Sequence, residues 1–286
     1  MNKICKKLLI VIIIVMNCSG TTSNAIISNN INIDNRLEKI KEKGILTIAS
    51  SNDKPFAYID PKTGELTGIE GEILTEIAKR LQINKVEMRY VPFQNLLTEL
   101  NTNNDIDIVS SGMYVTSERK KEALFTNVLY KEPEAIIVRK ASKFNFKEDL
   151  KDAVMGVPSG TIFVELAQKW QKEGLVKEVQ TIQGQSELIL QLVTGEIDAA
   201  MLDSVSAKYL LSNDNNLNIK LLIPYTPEIP GFIAAAVRKT DTALANAIDN
   251  EIDKMKEDQS LFFILKKYGL DETNFVSIKD GHISDN

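Results

Sequence analysis

Short apolar segments alternate with helical patterns along most of the chain. A polar helix pattern at Arg36–Lys43 ends at Gly44, and the apolar strand Ile45–Ile48 follows directly. Apolar residues then recur at helical spacing from Ile69 to Leu81, before a strand pattern at Val86–Val91. The alternation predicts a mostly parallel sheet covered by helices. The remaining predicted elements of this block are a helix at Leu96–Leu100 and a buried strand at Ile106–Val109.

A second block repeats this alternation. Two amphipathic helices, Thr242–Lys256 and Leu261–Tyr268, then close the pattern. The block therefore predicts a second α/β layer of similar construction. Its predicted elements are strands at Val154–Val157, Val176–Ile182, Ala199–Leu202 and Leu217–Ile223, and helices at Thr161–Trp170 and Ser186–Val193.

One short pattern occurs on both sides of the second block. Ala135–Lys140 and Ala234–Lys239 are both apolar strands that end in a basic pair. They stand where a chain would leave one lobe for another and later return. The predicted fold is therefore α/β, with two α/β lobes joined by a two-strand hinge and a ligand cleft between them. Residues 36–135 and 234–286 form lobe I in this prediction, and residues 136–233 form lobe II.

The first 25 residues have the pattern of a secretion signal. Three lysines lie within the first seven residues and precede the apolar run Leu8–Met16, which is too short to span a bilayer. Two processing outcomes are predicted: cleavage after Ala25, or cleavage before Cys18 with lipidation of that cysteine. The stretch Ser19–Asn35 is rich in Asn, Ser and Thr, so residues 26–35 are predicted to form a flexible tether. We expect an extracytoplasmic protein, either periplasmic or anchored to the membrane as a cell-surface lipoprotein.

Composition excludes several classes of chemistry. The 286 residues are 43% hydrophobic and 26% charged, which is an ordinary globular balance, and the formal net charge of −5 argues against nucleic-acid binding. His282 is the one histidine, and the two cysteines, Cys5 and Cys18, lie in or beside the signal. Catalytic triads, histidine-rich zinc sites and disulfides in the folded part are therefore not expected. No metal or cofactor site is predicted.

Six segments between Lys54 and Lys239 occur in an order that points to one family. Together they resemble the amino-acid-binding subunits of ATP-binding-cassette (ABC) importers, and the resemblance covers nearly all of Ile45–Leu270. It implies a monomer with two lobes that close on a free amino acid, and an ABC permease in the membrane as partner. The segments are Lys54–Tyr58, Gly64–Glu70, Asp105–Met113 with Thr116–Lys121, Gly156–Thr161, Gly195–Asp203 and Gly231–Lys239.

The resemblance assigns roles to residues that would bind the two charged groups of an amino acid. Arg119 is the predicted partner of the ligand carboxylate, because guanidinium matches carboxylate in bidentate geometry; a solvated helix arginine is the alternative. Asp203 is the predicted acceptor of the ligand ammonium, with a helix N-cap as its alternative role. The backbone N–H of Thr161 is predicted to meet the carboxylate, while capping a helix is the other role of this residue.

Further residues are predicted to surround the ligand. In the family, the loop before Arg119 faces the ligand, and here it contains Ser111, Gly112, Met113 and Tyr114. Tyr114 departs from the family, where a small hydroxyl residue is usual, and is expected to shrink or reshape the pocket. The other predicted contacts are the aromatic residues Phe93 and Phe56 and the acids Glu70 and Asp53, with core packing or surface exposure as the alternatives.

Two hypotheses of different class follow. The favoured one is a binding protein without catalytic residues that captures a polar amino acid. The alternative is a secreted dehydratase or lyase of the cyclohexadienyl dehydratase type on the same scaffold, for which Glu70 or Asp53 would be the general acid. Trp170 is interpreted as packing within lobe II rather than as a ligand contact.

Overall fold

The computed structural model describes residues 35–214 and 216–283. The predicted signal segment, Cys18 and all of the predicted tether except Asn35 lie outside the described residues. In the described part of the chain, no helix is both long enough and apolar enough to cross a bilayer.

Fourteen strands are found in the described residues. They form two five-stranded sheets and two small two-stranded sheets. The strands are β1 (Ile45–Ser50), β2 (Tyr58–Ile59), β3 (Leu66–Thr67), β4 (Lys85–Tyr90), β5 (Ile108–Val109), β6 (Leu124–Phe125), β7 (Tyr130–Glu132), β8 (Glu134–Arg139), β9 (Val154–Pro158), β10 (Glu178–Ile182), β11 (Ala199–Asp203), β12 (Ile219–Leu221), β13 (Gly231–Ile233) and β14 (Ala236–Val237).

The helices cover the faces of the two large sheets. Short 3₁₀ turns add to them at Phe93–Asn95 and Lys147–Asp152. The α-helices of the described residues are α1 (Arg36–Lys43), α2 (Ile69–Arg80), α3 (Leu96–Thr102), α4 (Ser117–Glu122), α5 (Phe163–Lys172), α6 (Gln185–Thr194), α7 (Ser204–Asn213), α8 (Thr242–Glu257), α9 (Ser260–Lys267) and α10 (Ile278–Gly281).

Each large sheet is mostly parallel, as predicted, with one antiparallel strand. The first lobe is built on the sheet β4–β1–β5–β14–β6, in which β14 runs against its two neighbours. The second lobe is built on the sheet β10–β9–β11–β8–β12, in which β8 is the antiparallel strand. The two antiparallel strands, β8 and β14, each follow directly from the connection between the lobes. No helical crossover precedes them, so they are not forced to run parallel to their neighbours.

Two antiparallel strands connect the lobes. Tyr130 and Glu132 of β7 pair with Ile233 and Gly231 of β13, and this ribbon carries both passages of the chain. The two-strand hinge is therefore confirmed, but the repeated pattern does not form it. The strands of that pattern, β8 and β14, lie in different sheets. Strand β8 follows β7 into the second lobe, and β14 follows β13 into the first lobe. The exact lobe limits at residues 135 and 234 stay a prediction.

Two helix ends can be compared with their predicted positions, the end of α1 and the start of α5. Helix α1 spans Arg36–Lys43, as predicted, and ends because Gly44 adopts a left-handed conformation with φ of 70°. The predicted start of α5 at Thr161 is wrong, since the helix begins at Phe163. Thr161 lies in the turn before it, where its hydroxyl donates to the carbonyl oxygen of Pro158 at 2.7 Å. That hydroxyl therefore does not cap the helix.

Candidate functional site

A small cavity lies between the two lobes, at the carboxyl ends of β9 and β11. Its volume is about 30 Å³, taken as the space open to the centre of a water molecule, which holds about two waters. The structure brings nine of the eleven predicted ligand-binding residues to this cavity; their contact with a ligand stays a prediction. The nine are Asp53, Phe56, Phe93, Ser111, Gly112, Tyr114, Arg119, Thr161 and Asp203.

Arg119 reaches from the first lobe to the second. It lies in α4, where Thr116 caps the helix by accepting a hydrogen bond from the Arg119 backbone N–H at 3.1 Å. Its Nη1 donates to the Tyr114 carbonyl oxygen at 2.8 Å and its Nη2 to the Gly160 carbonyl oxygen at 3.0 Å. The guanidinium also lies 5.4 Å from the ring centroid of Phe93. These contacts orient the guanidinium at the cavity wall.

Burial lowers the pKa of Arg119 to about 10, and the charge of Asp203 opposes this shift. The guanidinium therefore remains protonated at neutral pH. A fixed cation at the edge of a small cavity is suited to a ligand carboxylate, because guanidinium offers two parallel N–H donors to the two carboxylate oxygens.

Asp203 ends β11 and stands at the N-cap position of α7, but its side chain makes no capping hydrogen bond. The predicted capping alternative is therefore wrong for this side chain. Burial, followed by the nearby charges of Asp53 and Glu70, raises the pKa of Asp203 to about 7, while Arg119 acts in the opposite direction. The carboxylate is thus free to accept a hydrogen bond from a ligand cation, which would lower its pKa again.

Asp53 and neighbouring residues link the two sides of the cleft. Oδ1 of Asp53 accepts a hydrogen bond from the backbone N–H of Gln185 at 3.4 Å. The hydroxyls of Tyr58 and Tyr209 lie 3.3 Å apart across the same opening. Burial raises the pKa of Asp53. Together with the bond from Arg119 to Gly160, these contacts identify the conformation as closed.

The lobes also approach each other closely at Gly160. Its φ is 78°, and a Cβ atom at this position would lie 2.7 Å from both Cα and Cβ of Gln94. A glycine is therefore needed here for two reasons, the left-handed backbone and the contact with the opposite lobe.

The hydroxyl of Ser111 is engaged by the protein rather than left open to the cavity. Its Oγ lies 2.7 Å from Ser51 Oγ and 3.1 Å from Ser50 Oγ, and it accepts a hydrogen bond from the Ser51 backbone N–H at 3.1 Å. This cluster ties the loop after β5 to the end of β1, and so fixes one wall of the cavity.

Glu70 does not line the cavity, although the sequence predicts it as a ligand contact. Its fully buried carboxylate accepts hydrogen bonds from Gly112 N at 2.7 Å, from Tyr130 Oη at 2.9 Å and from Ser110 Oγ. Burial raises its pKa. Because three donors are directed at it, this carboxylate fixes the position of the loop that contains Ser110 and Gly112.

Met113 also lies away from the cavity. Its side chain is buried in the first lobe, in an apolar cluster that includes Ala49 and Val109. In an extended loop, neighbouring side chains point to opposite sides, so Tyr114 faces the cavity where Met113 faces the core.

Tyr114 fills much of the space between the lobes. It is 4% exposed, and its hydroxyl donates to the backbone carbonyl of Glu132 at 3.2 Å. Its ring meets that of Phe163 edge to face, with centroids 5.5 Å apart and planes at 82°. Gly231 lies against the ring, and a Cβ atom at Gly231 would collide with it. The hinge and the second lobe therefore both hold this side chain.

Sequence reasoning missed several lining residues of the second lobe. Ser159 follows β9 and Gln185 follows β10, so both lie at the carboxyl ends of parallel strands. Ligands of open α/β sheets gather at the carboxyl ends of parallel strands, and applying this rule to the predicted strands would have found both residues. Phe163 lies within the predicted helix Thr161–Trp170, but its spacing does not indicate whether its side chain faces the cleft or the core of the second lobe. The additional lining residues are Pro158, Ser159, Ile162, Phe163, Gly184, Gln185 and Leu202.

No group of three or more histidine, cysteine, aspartate or glutamate residues in the described part of the chain has a geometry that would hold a metal ion. The charged residues that line the cavity are one cation, Arg119, and two acids, Asp53 and Asp203.

Comparisons with known proteins agree with this architecture. Residues 46–271 match the family model for bacterial extracellular solute-binding proteins, family 3. The glutamine-binding protein GlnH of a Bacillus subtilis ABC transporter is 28% identical over 266 residues, which cover 91% of this chain and 93% of GlnH.

Solved structures give the same result. The complex of EhuB with hydroxyectoine has a TM-score of 0.73 at 26% identity, covering 83% of this chain and 93% of EhuB. An ancestral amino acid-binding protein, described as a precursor of cyclohexadienyl dehydratase, has a TM-score of 0.68 at 28% identity, covering 81% of this chain and 98% of that protein.

Proposed function

The chain belongs to the bacterial extracellular solute-binding proteins of family 3, and from this membership we propose that it captures a free, polar amino acid between its lobes and delivers it to an ABC permease. The single observation that carries the proposal is the pairing of opposite charges at one closed cavity. Arg119 faces it from the first lobe, and Asp203 faces it from the second. An amino acid carries the complementary pair, a carboxylate and an ammonium group.

Closure follows from the placement of these groups. A ligand held by Arg119 and Asp203 contacts both lobes only when the cleft is shut, so it binds the closed state more tightly than the open one. The ligand thereby shifts the population toward the closed state. The permease would then recognise surfaces of both lobes in this arrangement.

The family description supports an extracytoplasmic location. We propose that the signal lies within residues 1–25 and is removed by one of two routes, either cleavage before Cys18, which then carries a lipid, or cleavage after Ala25, which releases the protein. We further propose that it acts as a monomer. Metabolic labelling with a radioactive fatty acid, compared between the natural chain and Cys18→Ala, distinguishes the two processing routes.

We also propose that the bound molecule is released unchanged. The dehydratase alternative needs a general acid at the ligand, and Glu70 is unsuited because its oxygens accept three hydrogen bonds from the protein outside the cavity. Asp53 lines the cavity and has a raised pKa, so it is the acid to test. A chromatographic assay for products from bound ligands tests this statement, and turnover lost in Asp53→Asn would contradict it.

The proposed function is tested by a thermal-shift screen of amino acids, followed by calorimetry on each positive compound. A ligand that binds only the folded state raises the apparent melting temperature. Arg119→Ala should abolish measurable binding, because it would leave the ligand carboxylate buried and unpaired at a cost of about 3–5 kcal/mol. Arg89→Ala is the control, since Arg89 is exposed on β4. Micromolar binding retained by Arg119→Ala would contradict the proposal.

A further inference from the structure

We infer that Glu132 is a positioning residue for ligand binding: its side chain caps helix α7 in place of Asp203, and so keeps the Asp203 carboxylate available to the ligand ammonium group. This inference rests on the proposed function, in which Asp203 binds that group. Glu132 belongs to β7 of the ribbon between the lobes and does not line the cavity, so it acts through Asp203.

The end of β7 and the residue after it supply hydrogen-bond acceptors for the first turn of α7. The first N–H groups of a helix have no partner within the helix and need acceptors from elsewhere. The Ser204 N–H donates to the Pro133 carbonyl oxygen at 3.0 Å. The Val205 N–H donates to Oε2 of Glu132, also at 3.0 Å, and both of these residues are buried. The ribbon therefore holds the start of this helix.

Asp203 stands where a capping side chain is normally found. An aspartate at an N-cap position typically accepts from the second or third N–H of its helix, and Val205 is the second residue of α7. Asp203 makes no such bond, since Glu132 occupies the Val205 N–H. Its carboxylate lines the cavity instead. Loss of the Glu132 acceptor would leave the buried Val205 N–H without a partner, and Asp203 stands at the position from which it can replace that acceptor.

The two acids also differ in charge. Burial, followed by the charge of Asp203, raises the pKa of Glu132 well above its usual range. The charge of Glu70 adds to this rise, while the Val205 N–H and the charge of Lys208 oppose it. Glu132 is therefore neutral at neutral pH, whereas the pKa of Asp203 is about 7. A neutral carboxyl group keeps a carbonyl oxygen that accepts from an N–H. The neutral acid thus caps the helix, and the acid that ionises first faces the ligand.

The test is calorimetry on the full chain at pH 6 and pH 8. The probe is the standard L-amino acid that raises the melting temperature of the wild type most, with L-glutamine and L-arginine tried first. Glu132→Met is similar in size but lacks the acceptor, so Asp203 should turn to the Val205 N–H. The affinity at pH 8 should then fall about tenfold, because the ligand must compete with the new cap.

Glu132→Gln is the matched control. Its amide oxygen can accept the same hydrogen bond as the neutral acid, so the affinity should stay within about threefold of the wild type. Glu134→Ala is a second control for the loss of a buried acid. Glu134 is as buried as Glu132, but its carboxylate accepts from the N–H groups of Glu228 and Ile229 rather than from α7. This variant should lose stability and keep its affinity within about threefold.

The pH dependence distinguishes a positioning role from a general loss of order. The wild-type affinity should fall from pH 8 to pH 6, because Asp203 takes up a proton. A carboxylate that accepts from a backbone N–H at a helix N-terminus has a lowered pKa. The affinity of Glu132→Met should therefore hardly change between these pH values, and binding should release few protons. A merely loosened protein would lose affinity equally at both.

Wild-type affinity and pH dependence retained by Glu132→Met would overturn the inference and leave the proposed function intact, as would an equal loss in Glu132→Gln. Absence of amino-acid binding by the wild type would overturn both. Glu132→Ala replaces Glu132→Met if the latter does not fold. A crystal structure of the wild-type complex decides the inference without any variant: an Asp203 carboxylate bound to the Val205 N–H overturns it, and one bound to the ligand amino group supports it.

Discussion

The guanidinium of Arg119 in the first lobe donates a hydrogen bond to the backbone carbonyl of Gly160 in the second lobe, at 3.0 Å. One side chain thus faces the cavity and joins the two lobes. A ligand carboxylate that aligns this guanidinium also strengthens the contact between the lobes. We therefore propose that binding and closure are coupled through Arg119.

Gly160→Ala is predicted to weaken ligand binding by preventing full closure. The new Cβ atom would lie 2.7 Å from backbone and side-chain atoms of Gln94 in the opposite lobe, so the lobes would have to separate. We expect the dissociation constant to rise by about tenfold or more, which corresponds to about 1.4 kcal/mol. Calorimetry measures the affinity, and small-angle X-ray scattering of the ligand-saturated protein should show a larger radius of gyration.

Gly174→Ala is the control for this prediction. Gly174 has a similar φ of 73°, but a Cβ atom there would meet nothing within 4 Å. It should cost about 1 kcal/mol of stability through backbone strain and leave the affinity unchanged. Equal losses of affinity in both variants would show that strain, and not contact between the lobes, is responsible.

The raised pKa of Asp203 leads us to expect that ligand affinity depends on pH. Its pKa is raised to about 7 in the closed protein, by burial and by the charges of Asp53 and Glu70, with Arg119 opposing. A ligand cation requires the charged carboxylate, so affinity should rise from pH 6 to pH 8, with proton release on binding near pH 6.5. Calorimetry in buffers of different ionisation enthalpy measures this release. Proton uptake, or an affinity independent of pH, would contradict the prediction.

The same group predicts how the stability of the ligand-free protein depends on pH. The folded-state pKa of Asp203 lies above the ordinary value of 3.8, so the folded state binds this proton more tightly than the unfolded state does. The tighter binding of this proton therefore adds to the free energy of unfolding in full below pH 3.8. This contribution is lost as pH rises through about 7. Urea unfolding of the wild type between pH 4 and 8, compared with Asp203→Asn, should show a shallower decline in the variant.

Glu70→Ala is predicted to destabilise the first lobe without removing a ligand contact. It would leave the donors of Gly112, Tyr130 and Ser110 buried without their acceptor. We expect a loss of about 3 kcal/mol in the free energy of unfolding. Glu76→Ala on the same helix is the control, since Glu76 makes only surface ion pairs, and it should cost less than about 1 kcal/mol. Chemical unfolding followed by circular dichroism measures both.

Lys256→Met is predicted to stabilise the protein. Lys256 is 2% exposed, and its Nζ has no hydrogen-bond partner among the described residues, so burial lowers its pKa to about 8. Removing this buried amine should add about 1–3 kcal/mol at pH 7. The pKa of the lysine in the unfolded chain is near 10.5. As pH rises from 8 to 10, the buried amine loses its proton and the free-energy cost of burying Lys256 falls, so the stabilisation gained by Lys256→Met should fall with it.

Lys172→Met in the last turn of α5 is the control, because Lys172 is an exposed lysine on a helix of the folded part. It should change stability by less than about 1 kcal/mol at every pH. A gain from Lys256→Met that does not change between pH 7 and 10 would mean that packing, not charge burial, is the cause.

The general architecture could be predicted from local patterns. The apolar periodicities gave the alternation of strands and helices in both lobes, and Gly44 marked the end of α1. The resemblance pointed to Asp203, and its position at the end of β11 agrees with the place where it lines the cleft. These signals are carried by residues close together in the chain, which is why they can be read from sequence.

The structural role of Glu70 and the contacts that hold Tyr114 could not be predicted, because both depend on residues far apart in the sequence. The donors to Glu70 come from residues 40 to 60 positions away. Tyr114 is held by Phe163 of the second lobe and by Gly231 of the ribbon between the lobes. The acidic residue type suggested a ligand contact for Glu70, and position in the loop before Arg119 suggested one for Tyr114. Only the tertiary structure shows that the Glu70 carboxylate anchors this loop while Tyr114 lines the cavity.

Trp170, the one tryptophan of the chain, gives the protein a built-in optical probe of a single lobe. The indole is fully buried in the second lobe, donates to Glu228 at 3.0 Å and meets the Tyr225 ring edge to face. Its emission should therefore follow unfolding of that lobe and hardly respond to ligand. Comparing its denaturation curve with that of circular dichroism would show whether the two lobes unfold together or one after the other.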